Sequence, residues 1–236
     1  MLMLVTAAAV FLAIHLLVAG TRARDVLTRV LGEQIYLGLF SLASIAAIVW
    51  LAMAYNTAQA GLEDPKLYDL GRGVHDLGIP VIALAFWLGA QGLFSANPTA
   101  ARQEAAATRD GTIQGVLRIT RHPFLWGVVL WSAFHLAANG DEASVVLFGT
   151  FLLLALFGTF SIDAKRKRKM GANWTTFASK TSNIPFAAVL SGRNTLNIAE
   201  SFGWRFWAAL IIFVALLFAH ARIFGVSPFP GGYVPF

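Results

Sequence analysis

Two histidines interrupt long apolar runs of the sequence. His15 lies in FLAIHLLVAG and His135 lies in WSAFHLAANGD. An imidazole surrounded by hydrocarbon needs a partner for each ring nitrogen. A metal can satisfy one nitrogen while a backbone carbonyl accepts a hydrogen bond from the other. Two such histidines on separate helices are typical ligands of a bis-histidine haem. The alternative is that each ring only forms hydrogen bonds between helices.

Two further histidines bear on this prediction. His75 and His220 are expected near the end of the bundle closer to His135, so either could replace His15 as its partner. At 1.5 Å per residue, His15 and His135 differ in depth by about 9 Å. One iron could reach both only if the helices tilt or the haem lies nearly parallel to the membrane plane.

The segment GVLRITRHPFLWG is the most distinctive short motif. It places Arg118, Arg121 and His122 at the start of an apolar run, where Pro123 suits the first helical turn. Three cationic groups could hold a phosphate, a carboxylate or a haem propionate. The alternative is that they only fix the orientation of the chain at the membrane surface.

The elements that must position these residues are membrane helices. Of the 236 residues, 57% are hydrophobic and only 13% are charged, whereas soluble domains carry about 25% charged residues. We predict an all-α, polytopic membrane bundle with about six transmembrane helices, forming a single domain over residues 1–236. Each of the six predicted spans is near the roughly 20 residues that cross a bilayer. They cover residues 1–20, 35–55, 77–95, 123–138, 143–162 and 204–224.

The distribution of charge predicts the orientation. Most of the 18 Lys and Arg residues follow the first, third and fifth apolar runs. The positive-inside rule therefore places those loops in the cytoplasm and both termini on the periplasmic side of a bacterial inner membrane. The net charge of +6 sits in short loops between spans, so no nucleic-acid partner is expected. The basic run 165–169 suits contact with anionic membrane lipids. The chain has no cysteine, which excludes thiolate ligands and disulfides.

Three blocks, GVLRITRHPFLWGVVLWSAFHLAANGD, LYDLGRGVHD and TSNIPFAAVLSGR, resemble the NnrU family, which includes the ζ-carotene isomerases. The resemblance runs from the first apolar run to the last. It implies a membrane protein that binds haem b, with His15 and His135 as the iron ligands. It further implies cis–trans isomerisation of a polyene or another lipid-like substrate. We expect the haem propionates near Arg118, Arg121 and His122.

Two other functions are compatible with these residues. A haem-based redox or nitric-oxide sensor, or an accessory protein of nitrogen-oxide metabolism, would use the same two ligands without a substrate. The pattern RHP-x-x-x-Gly also resembles small membrane methyltransferases, in which it helps to hold S-adenosylmethionine. Those enzymes usually have Tyr where this chain has Leu125. They also usually have acidic residues in the segment that follows, whereas residues 165–177 of this chain include no acidic residue. The sequence does not indicate an oligomeric state.

Overall fold

The computed structural model describes residues 1–61, 63–109, 111–229 and 232. These residues form helices and loops, and their only extended pairing is an isolated bridge between Lys66 and Asp141. The first helix continues into a π-helical turn, Ala13–Val18, and 3-10 turns cover Glu104–Thr108 and Ile198–Ser201. The α-helices are α1 (Leu2–Leu12), α2 (Ala23–Leu31), α3 (Glu33–Gln59), α4 (Arg72–Asp76), α5 (Gly78–Phe94), α6 (Val116–Ile119), α7 (Pro123–Ala138), α8 (Glu142–Met170), α9 (Ala172–Ser179), α10 (Ala187–Leu190) and α11 (Trp204–Phe224).

Helix length confirms the predicted all-α membrane class but not the number of spans. In the described residues, α3, α8 and α11 are long and apolar enough to cross a membrane. The first helix with its π-helical turn adds a fourth candidate if it is counted together with α2, from which it is bent by 77°. Helices α5 and α7 are apolar but have only 17 and 16 residues. The structure therefore gives three spans, or up to four, where the sequence predicted six.

The helices pack around α8. Helix α1 contacts α3 and α8, while α7 contacts α8 on one side and α5 on the other, and α5 contacts α11. Small residues line the contact of α1, α3 and α8, which brings the backbones of these helices close together. This core consists of Leu4, Ala7, Ala8, Phe11, Ala47, Leu51, Ala54 and Ala143.

The outer surface of the bundle is apolar. Only 17%, 22% and 11% of the most apolar stretches of α3, α8 and α11 are buried inside the protein. Large side chains such as Leu42 and Ile211 are each 67% exposed. A soluble protein rarely exposes so large a contiguous apolar area. Lipid is therefore the solvent that this surface requires.

The two ends of the bundle differ in charge. The segment 63–71 lies at one end, which we call the acidic end, against the turn between α7 and α8. There Asp141 caps α8 by accepting from the Ser144 N–H at 2.8 Å, and Asp64 accepts from the Ala143 N–H at 2.9 Å. A Cβ at Gly140 would lie 1.8 Å from the Tyr68 carbonyl oxygen. The opposite end, with the segments 19–22, 95–109, 111–122 and 163–203, is the basic end.

Candidate functional site

His15 lies in the π-helical turn that ends the first helix. Its Nδ1 is 2.8 Å from the carbonyl oxygen of Phe11. A carbonyl can only accept, so Nδ1 carries the proton and Nε2 keeps its lone pair. That lone pair faces the hydroxyl of Ser44, which is 3.5 Å away and can donate to it. Isolated π-helical turns are rare and often occur at functional sites.

His135 repeats this arrangement in the last turn of α7. Its Nδ1 donates to the carbonyl oxygen of Trp131 at 2.8 Å, which again leaves the lone pair on Nε2. The imidazole stacks on Phe148, with ring centroids 4.7 Å apart and planes inclined by 27°. Rings of Trp131 and Phe134 complete an apolar enclosure at 5.1 and 5.7 Å.

A continuous set of aromatic rings connects the two histidines. The Phe11 ring lies 4.4 Å from His15 and 5.7 Å from Phe151. Trp131 lies 5.5 Å from Phe151 and 5.2 Å from Phe148. We call these four non-histidine residues the aromatic cluster. It comprises Phe11, Trp131, Phe148 and Phe151.

Contacts between α1 and α8 give the level of His15 in the bundle. The Phe11 ring contacts Phe151, and farther along the same two segments the Ser161 hydroxyl donates to the Gly20 carbonyl at 2.8 Å. The two helices therefore run parallel with nearly constant register. His15 accordingly lies level with about residue 155 of α8.

The histidines lie at different levels of the bundle. His135 stacks on Phe148, about seven residues before the level of His15, which corresponds to about 10 Å along α8. Metal–imidazole bonds are about 2 Å long, so two nitrogens that share one ion are about 4 Å apart. Binding of one iron by both rings stays a prediction, and it requires the two imidazoles to lie closer to each other along the bundle axis than they do in this structure.

Each histidine taken alone suits an axial haem ligand. An axial imidazole binds through one nitrogen while its other N–H donates to a carbonyl, and both rings have this hydrogen bond in place. In the part of the chain that the structure describes, no three His, Asp or Glu side chains are grouped to hold a metal ion. A haem iron needs no such group, because the porphyrin supplies four of its ligands.

At the basic end, the Arg-His-Pro motif forms a buried ion cluster. Asp163 of α8 accepts from the Arg121 Nε–H at 2.9 Å and from the His122 Nε2–H at 2.7 Å. Arg121 also lies over the ring of Trp174, at 5.4 Å from the ring centroid. Burial lowers the pKa of His122 despite the nearby carboxylate, so its imidazole is neutral at pH 7.

Arg118 lies in a separate ion pair. Its Nε and Nη2 donate to the two carboxylate oxygens of Glu200 at 2.8 and 2.9 Å, and Nη1 donates to Asn194 at 2.9 Å. The hydrogen bonds from Arg118 outweigh partial burial and lower the pKa of Glu200. All three predicted propionate ligands therefore have carboxylate partners within the protein. An incoming carboxylate or phosphate would have to compete with Glu200 or Asp163.

The remaining histidines lie near the acidic end. His75 is exposed on α4, which contacts α7. His220 donates from Nδ1 to the Val226 carbonyl at 2.8 Å and packs on Phe224. Both therefore stay open as alternative partners of His135.

Sequence reasoning missed the acidic partners of the basic motif. Asp163 directly precedes the basic run 165–169, and Glu200 is the only other acidic residue after Glu142. An isolated carboxylate in a basic stretch is a recognisable signal for an internal ion pair. The π-helical turn at His15 has no comparable signal, because AIHLLV is compatible with an ordinary α-helix.

Comparison with known proteins gives the family. The sequence pattern of the NnrU protein family matches residues 3–228, which is nearly the whole chain. The chain belongs to the NnrU family. It is 26% identical over 188 residues to the chloroplastic 15-cis-zeta-carotene isomerase of Zea mays, which covers 79% of this chain and 50% of the relative. The enzyme of the same name from Arabidopsis thaliana is 26% identical over 213 residues, covering 86% of this chain and 56% of the relative.

This NnrU-family chain thus spans about half the length of the curated relatives that it matches. No solved structure is significantly similar to it. The comparisons support the membrane and isomerase-like assignments that the sequence blocks suggested. The ligands of a cofactor stay predictions.

Proposed function

We propose that this NnrU-family protein is a haem-dependent cis–trans isomerase of a polyene or similar lipid-like substrate. The observation that carries the proposal is the shared geometry of His15 and His135. Each presents an Nε2 lone pair inside an apolar, aromatic part of the bundle, with its Nδ1 proton held by a carbonyl. The names of the two isomerase relatives support the reaction class.

His15 and His135 are the residues that would hold the haem. When bound, haem b would supply a redox-active iron, which these imidazoles would hold. The carbonyls of Phe11 and Trp131 hold each imidazole in the tautomer that leaves Nε2 available. Because each imidazole is carried by a helix and hydrogen-bonded to its backbone, the helix fixes the orientation of the ring.

The surroundings of His135 suit an apolar substrate. Phe134, Phe148 and Trp131 exclude water from the imidazole, and their ring faces can pack against conjugated carbon chains. At the acidic end, the segment 63–71 covers the end of α7, where the Tyr68 hydroxyl donates to the Leu136 carbonyl. A lipid-like substrate would therefore enter from the bilayer and not through this loop.

We further propose that α5 and α7 cross the membrane, which gives six spans. Seventeen and 16 helical residues are about 25 Å long, close to the hydrocarbon thickness of about 30 Å. The two helices also pack beside α8 and α11, which are long enough to span. Positive charge at the basic end favours its location in the cytoplasm of a bacterial cell, with both termini opposite.

A sensor is the second candidate, and the packing around His135 favours it. Three aromatic rings lie within 5.7 Å of the imidazole, and a small diatomic ligand could also bind in such an apolar enclosure. A haem-based redox or nitric-oxide sensor would use the same imidazoles and need no substrate path.

An isomerase assay separates the two functions. The full-length chain, purified after haem-replete expression and reduced, is incubated with 15-cis-ζ-carotene in detergent micelles, and the isomers are separated by chromatography. The isomerase is supported if the wild type converts the substrate to the trans isomer and His135→Ala does not. Haem-loaded protein that converts no cis polyene, but whose spectrum changes with nitric oxide, would support the sensor.

A further inference from the structure

A small cavity of about 320 Å³ opens at the basic end, between the end of α5 and the loop that follows it. Its apolar side is formed by Leu93 and Phe94, which are 59% and 40% exposed. Its polar side carries Arg102 and Arg109. The cavity does not include the two intramembrane histidines, and it plays no part in the proposed isomerase.

The two arginines are available for an anion. Neither has a carboxylate within ion-pair distance among the residues that the structure describes, whereas Arg118, Arg121 and Arg166 at the same end each have one. Among the residues that the structure describes, Arg102 donates to a neutral amide oxygen, Oε1 of Gln34, at 3.2 Å. Guanidinium groups without carboxylate partners are the preferred ligands of phosphate groups.

The backbone at Arg102 is strained in a way that points to a role. Its φ is +61°, a left-handed conformation that residues other than glycine rarely adopt. The next residue, Gln103, fixes the loop by accepting from the Asn97 N–H at 2.8 Å. The loop thus holds Arg102 at the cavity, and such strained positions cluster where ligands bind.

Aromatic residues place this cavity at the depth of lipid headgroups. Phe94 contacts the ring of Trp204 at 5.5 Å, and Trp204 is 61% exposed. Arg205 lies over the Trp204 ring at 5.4 Å and donates to the Phe94 carbonyl at 2.9 Å. Exposed tryptophan beside arginine is typical of the membrane–water interface.

We propose that this cavity binds the phosphate of an anionic phospholipid. Arg102 and Arg109 hold the headgroup phosphate, and one acyl chain packs along Leu93 and Phe94 into the bilayer. The arrangement combines charge and apolar contact at a single depth, which a soluble anion does not need.

Native mass spectrometry tests whether the cavity binds an anionic phospholipid. The 236-residue chain is released from phosphatidylcholine nanodiscs that either contain or lack phosphatidylglycerol. The wild type should retain phosphatidylglycerol, and Arg102→Gln/Arg109→Gln should bind it at least about tenfold more weakly. Arg22→Gln/Arg29→Gln removes the same charge from exposed positions at the same end and should bind like the wild type. Unchanged melting temperatures of both double variants would show that the fold is retained.

Two results would overturn the proposal. Equal loss of lipid in both double variants would mean that general surface charge attracts the lipid. Stabilisation of the wild type by inorganic phosphate, as strong as by phosphatidylglycerol and dependent on Arg102 and Arg109, would mean a site for a soluble anion. Weaker phosphatidylglycerol binding in Leu93→Ser, without a change in melting temperature, would support the acyl-chain contact.

Discussion

The smallest functional unit in this protein is an imidazole that donates a hydrogen bond to the backbone carbonyl four residues earlier. His15 and His135 both have this hydrogen bond, so both have the same tautomer. Sequence alone could identify these two residues, because a titratable side chain within an apolar helix is a functional candidate by default. It could not give the ring orientation, which depends on side-chain packing against Phe40 and Phe148.

Removing the charge of Asp163 should destabilise the protein strongly. The side chains of Arg121 and Asp163 are only 13% and 18% exposed, so Asp163→Asn leaves a buried guanidinium without its counter-ion. We expect a loss of about 3 kcal/mol in the free energy of unfolding, measured by denaturant titration in detergent.

Asp25→Asn is the matched control for Asp163→Asn. Asp25 lies 4.0 Å from Arg168, and both side chains are more than 40% exposed. Solvent screens such a pair, so the change should cost less than about 1 kcal/mol. Equal effects of the two substitutions would show that the Asp163 cluster is not a buried ion cluster in the membrane-embedded protein.

At the scale of elements, two glycines bring α5 and α7 into backbone contact. A Cβ at Gly127 would lie 2.6 Å from the Ala85 carbonyl and 2.9 Å from the Gly89 nitrogen. A side chain at position 127 would therefore prevent this close approach of the two backbones. The bounds of α7 also match the predicted run 123–138, because Pro123 fixes its start and the turn at Asn139 its end.

Gly127→Ala should therefore destabilise the protein by about 1–3 kcal/mol, because the atoms it meets are backbone and cannot rotate away. The measurement is the melting temperature in detergent. Gly149→Ala on α8 is the control, since nothing lies within 4 Å of its Cβ position. It should be neutral or stabilising by about 0.5–1 kcal/mol. A drop as large in Gly149→Ala would contradict the packing at Gly127.

The loop after α5 is tied to α8 by Glu104, and this tie should make stability depend on pH. Glu104 accepts from Lys169 at 2.8 Å and pairs with Arg166. Burial would raise its pKa, but the Lys169 hydrogen bond and the charges of Arg166 and Lys169 outweigh it and lower the pKa from 4.5 to about 2. The folded state thus binds this proton less readily than the unfolded state, so the stabilisation is present at neutral pH and lost on acidification.

We expect the melting temperature to fall as the pH is lowered from about 4.5 to about 2, and less steeply in Glu104→Gln. Glu63→Gln, at the acidic end, is the control and should follow the wild type. A wild-type slope in Glu104→Gln would contradict the ion pairs described for Glu104.

At the scale of the molecule, the sequence was reliable for class and less so for span number. The sequence has more apolar residues than the surface of a soluble protein can expose to water. This excess predicted an apolar surface covered by lipid, which the structure shows on α3, α8 and α11. The six apolar runs did not give six long helices, because the runs 77–95 and 123–138 are the two shortest and form helices of only 17 and 16 residues. The 77° bend after α1 was equally hidden, since no proline marks it.

Single cysteines can test the proposed orientation without background, because the chain has none. Glu63→Cys marks the acidic end and Ser179→Cys the basic end, and both positions are exposed. In bacterial cells, a membrane-impermeant maleimide should label position 63 in intact spheroplasts and position 179 only after lysis. The reverse pattern would contradict the positive-inside assignment.

The absorption spectrum of the purified protein tests the central claim most directly. After haem-replete expression, the wild type should show a Soret band that His15→Ala and His135→Ala each lose or shift, while His75→Ala keeps it. A wild-type protein without a Soret band, or a full wild-type spectrum in both His15→Ala and His135→Ala, would contradict the assignment of the intramembrane histidines as haem ligands.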